Sequence, residues 1–150
     1  MRSITLDQFK EELKAQGVPR VHLAFKCPIC KTIQSMASLM LVGAGKSDEQ
    51  VEGFIGFSCV GWWTNAGPGH GAEPGKGCDW TLGGFLHLHE LEVITPDGVR
   101  NPRFELASAE QAKELMAANG WRFSERFERT ANVSAASAPS AVESEGARQA

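Results

Sequence analysis

Cys27-Pro28-Ile29-Cys30 is the stretch on which the fold turns. A gap of two residues lets one tight turn present both sulfurs to a single ion, while neighbouring backbone amides donate to the thiolates. Two more cysteines follow, Cys59 and Cys78, with eighteen residues between them instead of the two to four of an ordinary second pair. A hairpin can still bring them together, because Cys59 ends one candidate strand and Cys78 opens the next. The two halves then meet across the metal in a zinc-ribbon-like manner. The reading is a structural Zn²⁺ held by Cys27, Cys30, Cys59 and Cys78.

Three rivals compete with that ligand set. One is a Cys₃His site that recruits His70, His87 or His89, another is a group of buried free thiols. The third is a redox Cys-x-x-Cys, which expects the motif at a helix start within a βαβ unit, a context this chain lacks. Four thiolates close the coordination shell and leave no position for water or substrate, so zinc chemistry is disfavoured. Structural zinc in small peptides binds with roughly 10–16 kcal/mol, against about 5–15 kcal/mol for the whole stability of a typical domain. Removal of the metal is expected to unfold much of the protein. Trp63 and Trp80 each share a strand face with a ligand cysteine and are expected to shield the cluster.

Composition sets the outer bounds. A chain of 150 residues, 42% hydrophobic with eight Phe and four Trp, can build one core. We expect a single zinc-stabilised domain over residues 1–129 and a disordered tail over 130–150, which carries Ala, Ser, Glu, Pro and Gly without an aromatic residue. The formal charge of −3 becomes −5 with four thiolates around Zn²⁺, a poor match to phosphate backbones. No apolar run approaches a membrane span, and no basic segment followed by an apolar run opens the chain. The expectation is a cytoplasmic protein without membrane partners, in a compartment where thiols stay reduced and cysteines serve as ligands.

The class expected is α+β: a small antiparallel sheet with the Cys₄ site and two to three flanking helices. Thr5 followed by Gln8 makes a capping box, and Leu6, Phe9 and Leu13 recur at helical spacing before Gly17 and Pro19. Val21 to Phe25 reads as a strand, Ser35 to Val42 as a helix rich in Met, Ala and Leu, and Ser47 with Gln50 as a second capping box. Phe54 to Trp63 reads as a strand, as do a segment from Cys78 and Phe85 to Ile94. The turn residues Pro96, Asp97 and Gly98 then return Val99 to Leu106 as a hairpin partner. Ser108 caps a last helix from about Ala109 to Asn119, stopped by Gly120, with Trp121 to Phe127 as a strand or docking segment.

Other residues carry weaker indications of a site. Thr64 to Gly77 has fourteen residues, seven of them Gly or Pro, and a loop of that length is either a binding surface exposing His70 and Lys76 or a plain connector. His87 and His89 alternate on one strand face, an arrangement able to bind metal or act as acid and base, though no carboxylate or nucleophile stands beside them in the sequence. Gly45-Lys46-Ser47 looks like the end of a phosphate-binding loop, but Met40 stands where that pattern needs glycine. Trp121-Arg122-Phe123 to Arg129 interleaves aromatic and basic residues, while Glu125 and Glu128 nearly cancel the charge.

Three blocks, Cys27-Pro28-Ile29-Cys30-Lys31-Thr32-Ile33-Gln34-Ser35, Gly56-Phe57-Ser58-Cys59-Val60-Gly61 and Gly77-Cys78-Asp79-Trp80-Thr81-Leu82-Gly83-Gly84, together resemble a group of small cysteine-rich proteins of unknown function encoded by bacteriophages, prophages and mobile elements. The resemblance spans roughly residues 20 to 120. It implies a product acting in the bacterial cytoplasm, with the four cysteines matching the group's cysteine pattern. The chain departs from it at Lys31, where the group carries glycine after the second cysteine. The function expected first is a non-enzymatic, zinc-binding accessory protein that binds a host or phage protein, with inhibition of a host defence or metabolic system as one expected outcome. Two alternatives stand behind it. One is a nucleic-acid-associated zinc-ribbon module using Arg100, Arg103, Arg122, Arg126 and Arg129, and the other a small hydrolase-like enzyme using His87 and His89.

Overall fold

The computed structural model describes residues 1–69, 73, 75–82 and 89–128. His70, the segment 83–88 with His87 and the start of the expected third strand, Arg129 and the tail from 130 lie outside them. The chain separates into two units, Met1–Asn119 and Gly120–Ala150.

In the first unit, Arg2–Thr5 forms β1 and passes directly into α1, Leu6–Ala15. Thr5 caps that helix: its hydroxyl accepts from the Gln8 amide at 3.1 Å, and the Gln8 side chain accepts from the Thr5 amide at 2.9 Å. A 3₁₀ turn, Arg20–His22, leads to β2, Ala24–Lys26, which pairs antiparallel with β3, Ile33–Ser35, in the register Ala24↔Ser35. Ser35 caps α2, Met36–Leu41, so the apolar run is helical as read. Ser47 caps the single turn of α3, Asp48–Val51; the Gln50 side chain here takes the Lys46 amide rather than that of Ser47.

The remaining strands are β4, Leu91–Ile94, β5, Arg100–Arg103, and β6, Glu105–Leu106. Gly98 turns β4 into β5 with φ 85, a left-handed geometry that favours glycine. Two three-stranded sheets result, in the orders β1-β4-β5 and β3-β2-β6. The first is mixed rather than antiparallel, because β1 runs parallel to β4. Pro102 sits on β5, an edge strand, where a missing amide disturbs no inner ladder. The expected return strand Val99 to Leu106 is split: β5 pairs with β4, and β6 crosses to β2 in the register Phe25↔Leu106.

The side chain of the fully buried Gln16 binds the second sheet to α1. It donates to the Ala24 and Ala107 carbonyls, both at 2.9 Å, and accepts from the Ala24 amide at 2.8 Å. Ile4, Leu91 and Val93 form one apolar cluster, while Phe25, Leu82 and Phe104 form another around the four cysteines. Phe9 packs against both.

Two strand expectations fail for local reasons. Phe54 to Trp63 is a run of turns followed by a 3₁₀ turn, Val60–Trp62, because Gly56 takes φ 73 and the chain folds on itself there. Among the described residues, the segment from Cys78 pairs with it through a single antiparallel bridge, Ser58↔Thr81. At the other end α4, Ala109–Phe123, runs through Gly120. Glycine permits a helix stop without enforcing one, and the chain continues into a π turn, Ser124–Glu128, with the Phe123 and Phe127 rings 5.1 Å apart. Trp121 to Phe127 is therefore helical rather than a strand. Among the described residues, no helix is long and apolar enough to cross a membrane.

Candidate metal centre

The first cysteine pair occupies the turn between β2 and β3. The Cys27 amide donates to the Thr32 carbonyl at 3.1 Å, and the Lys31 amide donates back to the Cys27 carbonyl at 3.0 Å. Closing so tight a turn forces Lys31 into the left-handed region with φ 62. That conformation suits glycine better than lysine, whose Cβ crowds the following carbonyl. The Lys31 ammonium reaches Glu90 at 2.9 Å on the surface.

The second pair is held by a short ladder instead of a hairpin of two strands. The Cys59 amide donates to the Trp80 carbonyl and the Leu82 amide to the Phe57 carbonyl, both at 2.9 Å. Gly61 lies so close to the other half that a Cβ there would stand 2.2 Å from the Cys78 nitrogen. The long connection is fastened at its ends: the Ala66 amide donates to Gly61, the Asp79 amide to Gly67, and Thr32 Oγ1 accepts from the Gly75 and Gly77 amides at 3.1 and 3.0 Å.

All four sulfurs lie within 4.8 Å of one another, and all four cysteines are buried, at most 2% exposed. Cys27 Sγ stands 3.7 Å from Cys78 Sγ, and Cys30 Sγ 3.7 Å from Cys59 Sγ. A disulfide needs about 2.05 Å, so these are free thiols gathered around a common centre. Such a cluster can hold a metal ion.

Polar groups aim at the sulfurs from outside. The Gln34 side-chain amide donates to Cys59 Sγ at 3.4 Å, and the Cys78 backbone amide donates to the same sulfur at 3.3 Å. Gln34 is fully buried, and its Oε1 accepts from the Val60 amide at 2.8 Å, which fixes its orientation. Thr32 Oγ1 lies 3.1 Å from Cys30 Sγ.

Without a cation the thiols divide. Cys59 is held down to about 5, first by the Cys27 thiol donating to it, then, against the opposing effect of burial, by the amides of Gly61, Gln34 and Cys78. Cys27 is pushed far above the ordinary thiol range by that same neighbour and by burial. Burial chiefly pushes Cys78 up to about 12. Cys27 and Cys78 thus stay protonated at neutral pH until a cation enters and inverts the balance.

Among the described residues, Lys76 and His89 do not join the four sulfurs, and His70 and His87 lie outside the described residues. Lys76 is exposed and paired with Glu73 at 2.7 Å, and His89 is half-buried ahead of β4. Trp80 packs on the cysteine cluster as expected, whereas the Trp63 ring lies instead against Phe54, centroids 5.0 Å apart. Arg100 is held by Glu92 at 2.6 Å, which removes it from any free basic face. Thr32, Gln34 and Gly61 were not foreseen as parts of the site. A fully polar pair so close after Cys30, Thr32 and Gln34, leading into an apolar run, was the available indication.

No curated protein and no solved structure matches the chain. A family model described as VVA0879-like matches residues 5–107, a stretch that contains all four cysteines and every strand after β1. The chain belongs to the VVA0879-like family.

Proposed function

We propose that this protein is a zinc-stabilised accessory protein that acts by binding another protein, of the phage-borne type its three cysteine blocks resemble. One observation carries the reading: four buried sulfurs within 4.8 Å of one another, spacing that a tetrahedral shell would accept. A tetrahedron with zinc–sulfur bonds of about 2.3 Å has edges of about 3.8 Å, and the Cys27–Cys78 and Cys30–Cys59 sulfur pairs stand at 3.7 Å. Four soft thiolates suit zinc, and four protein ligands leave no open position for a reacting water or substrate. The Gln34 and Cys78 donors would neutralise part of the charge on Cys59. With Thr32 Oγ1 engaged as an acceptor by two amides, its own proton faces Cys30 once that sulfur is a thiolate.

The metal would then act on function through the segments it fastens. Trp62, 56% exposed, is carried on the 3₁₀ turn that follows Cys59, with the half-exposed Phe54 on the preceding turn. Exposed aromatic residues on a rigid base are the usual anchors of a protein interface. A host or phage protein in the bacterial cytoplasm is the partner proposed, and inhibition of a host defence or metabolic system the outcome. The test is capture from bacterial lysate on the zinc-loaded full chain, with Trp62→Ala as comparison. A partner held by the natural chain and lost by Trp62→Ala is the expected result. Absence of any partner, or capture that ignores both Trp62 and zinc, would contradict it.

A further inference from the structure

A second site lies away from the cysteines, in the cleft bordered by α1, β2 and the start of α2. It has a volume of about 220 Å³, and Phe9, Leu13, Leu23, Phe25, Met36 and Ile55 supply its apolar walls. For scale, a cavity of about 150 Å³ lined by similar side chains takes up benzene. Three charged groups also border it: Arg20, Glu52 and Arg103.

The arginines differ in their partners. Of the four in Met1–Asn119, Arg2 holds Glu12 and Glu105, Arg20 holds Asp48 and Glu52, and Arg100 holds Glu92. The Arg103 side chain, half-buried at the end of β5, has no hydrogen bond or ion pair among the described residues. Burial lowers its pKa without any acidic neighbour to offset it, yet a guanidinium stays charged throughout the physiological range. A half-buried cation with no counter-charge is unfavourable and calls for an anion. Glu52 does not meet that need, since its carboxylate is taken by Arg20 at 2.9 Å. The guanidinium fork matches a carboxylate in two parallel hydrogen bonds.

We propose that this cleft binds a small apolar carboxylate, its hydrocarbon body among Phe9, Leu13, Phe25 and Ile55 and its carboxylate on Arg103. The volume fits one phenyl ring or a short alkyl chain with its headgroup, so either a free monocarboxylic acid or the last residue of a peptide with a free C-terminus supplies the same chemistry. Nothing in this assignment depends on zinc or on Trp62.

The experiment titrates the zinc-loaded full chain by calorimetry and by two-dimensional NMR. The probes are 3-phenylpropanoate, 3-phenylpropan-1-ol and 3-phenylpropylamine, together with a short peptide ending in Phe as free acid and as amide. The carboxylate should bind at least tenfold tighter than the alcohol, with shift changes centred on Phe9, Leu13, Met36 and Ile55, and the amine weakest. Arg103→Met, which keeps the apolar stem, should erase the preference for the acid while the alcohol still binds. Its unchanged zinc content and amide spectrum certify the fold. Should that variant not fold, the acid-over-alcohol preference of the natural chain decides alone. Equal binding of acid and alcohol, no binding at millimolar acid, or shifts elsewhere on the molecule would overturn the proposal. Tighter binding of the free-acid peptide than of phenylpropanoate would place the carboxylate on a protein terminus, and the reverse order on a free acid.

Discussion

Replacing Gln34 by Leu nearly preserves side-chain volume, so a cavity contributes little; besides a donation to the Thr32 carbonyl at 3.4 Å, it removes two interactions that bear on the metal centre. The first is the donation to Cys59 Sγ, at 3.4 Å the longer of the two. Outer-shell partners of this kind are worth about 10–100-fold in metal affinity, or roughly 1.4–2.7 kcal/mol at 1.36 kcal/mol per decade. The second is acceptance from the Val60 amide at 2.8 Å. Leaving that amide without a partner costs about 1–3 kcal/mol in a buried setting, less where water reaches it, and Val60 is only half-buried. The zinc dissociation constant, measured by competition with a chromophoric chelator at pH 7, should therefore rise about 10–100-fold. Gln34→Glu separates the two effects, since a carboxylate still accepts from Val60 but adds negative charge beside the thiolates. It should bind zinc no better than Gln34→Leu. If a folded Gln34→Leu protein keeps the natural affinity within a factor of two, the reasoning about outer-shell support is wrong.

Three further outcomes follow from the same geometry. Lys31→Gly relieves a left-handed lysine worth about 1 kcal/mol and loses an exposed pair with Glu90 worth less, so urea unfolding of the zinc-loaded protein should shift to higher midpoint or stay level; a clear loss of stability would contradict the turn described. Gly61→Ala places a methyl group 2.2 Å from the Cys78 nitrogen, which should lower both zinc stoichiometry and thermal stability, and a fully loaded variant of natural stability would refute the close approach. Acid should release the metal, because the metal-free form binds more protons: with Cys27 and Cys78 both raised, at least two protons leave on binding, and affinity should fall by at least about 100-fold per pH unit near neutrality. A slope near zero would show the thiolates already formed without metal.

Local chemistry was legible in the sequence where both partners lie within one turn. The box of Thr5 with Gln8 and the cap at Ser108 read directly from spacing, and the structure forms both, whereas at Ser47 and Gln50 only the cap half of the expected box forms. The gathering of four cysteines was legible too, because reduced thiols at such spacing have few other uses. What escaped was non-local. Arg2–Thr5 has little strand character of its own and becomes β1 only by pairing with β4, some ninety residues on. The Phe54 to Trp63 segment reads as a strand by composition, but the close contact of Gly61 with Cys78 and the left-handed Gly56 decide otherwise. Arg103 looked like one of several basic residues, and only the cleft distinguishes it from Arg2, Arg20 and Arg100.

The central claim is that Cys27, Cys30, Cys59 and Cys78 together enclose one zinc ion. Elemental analysis with zinc-edge X-ray absorption on the purified protein tests it most directly. The account predicts one zinc per chain with four sulfur neighbours at about 2.3 Å, falling below one equivalent when any single cysteine is changed to serine. A nitrogen or oxygen in the shell, or a folded protein that carries no metal, would contradict it.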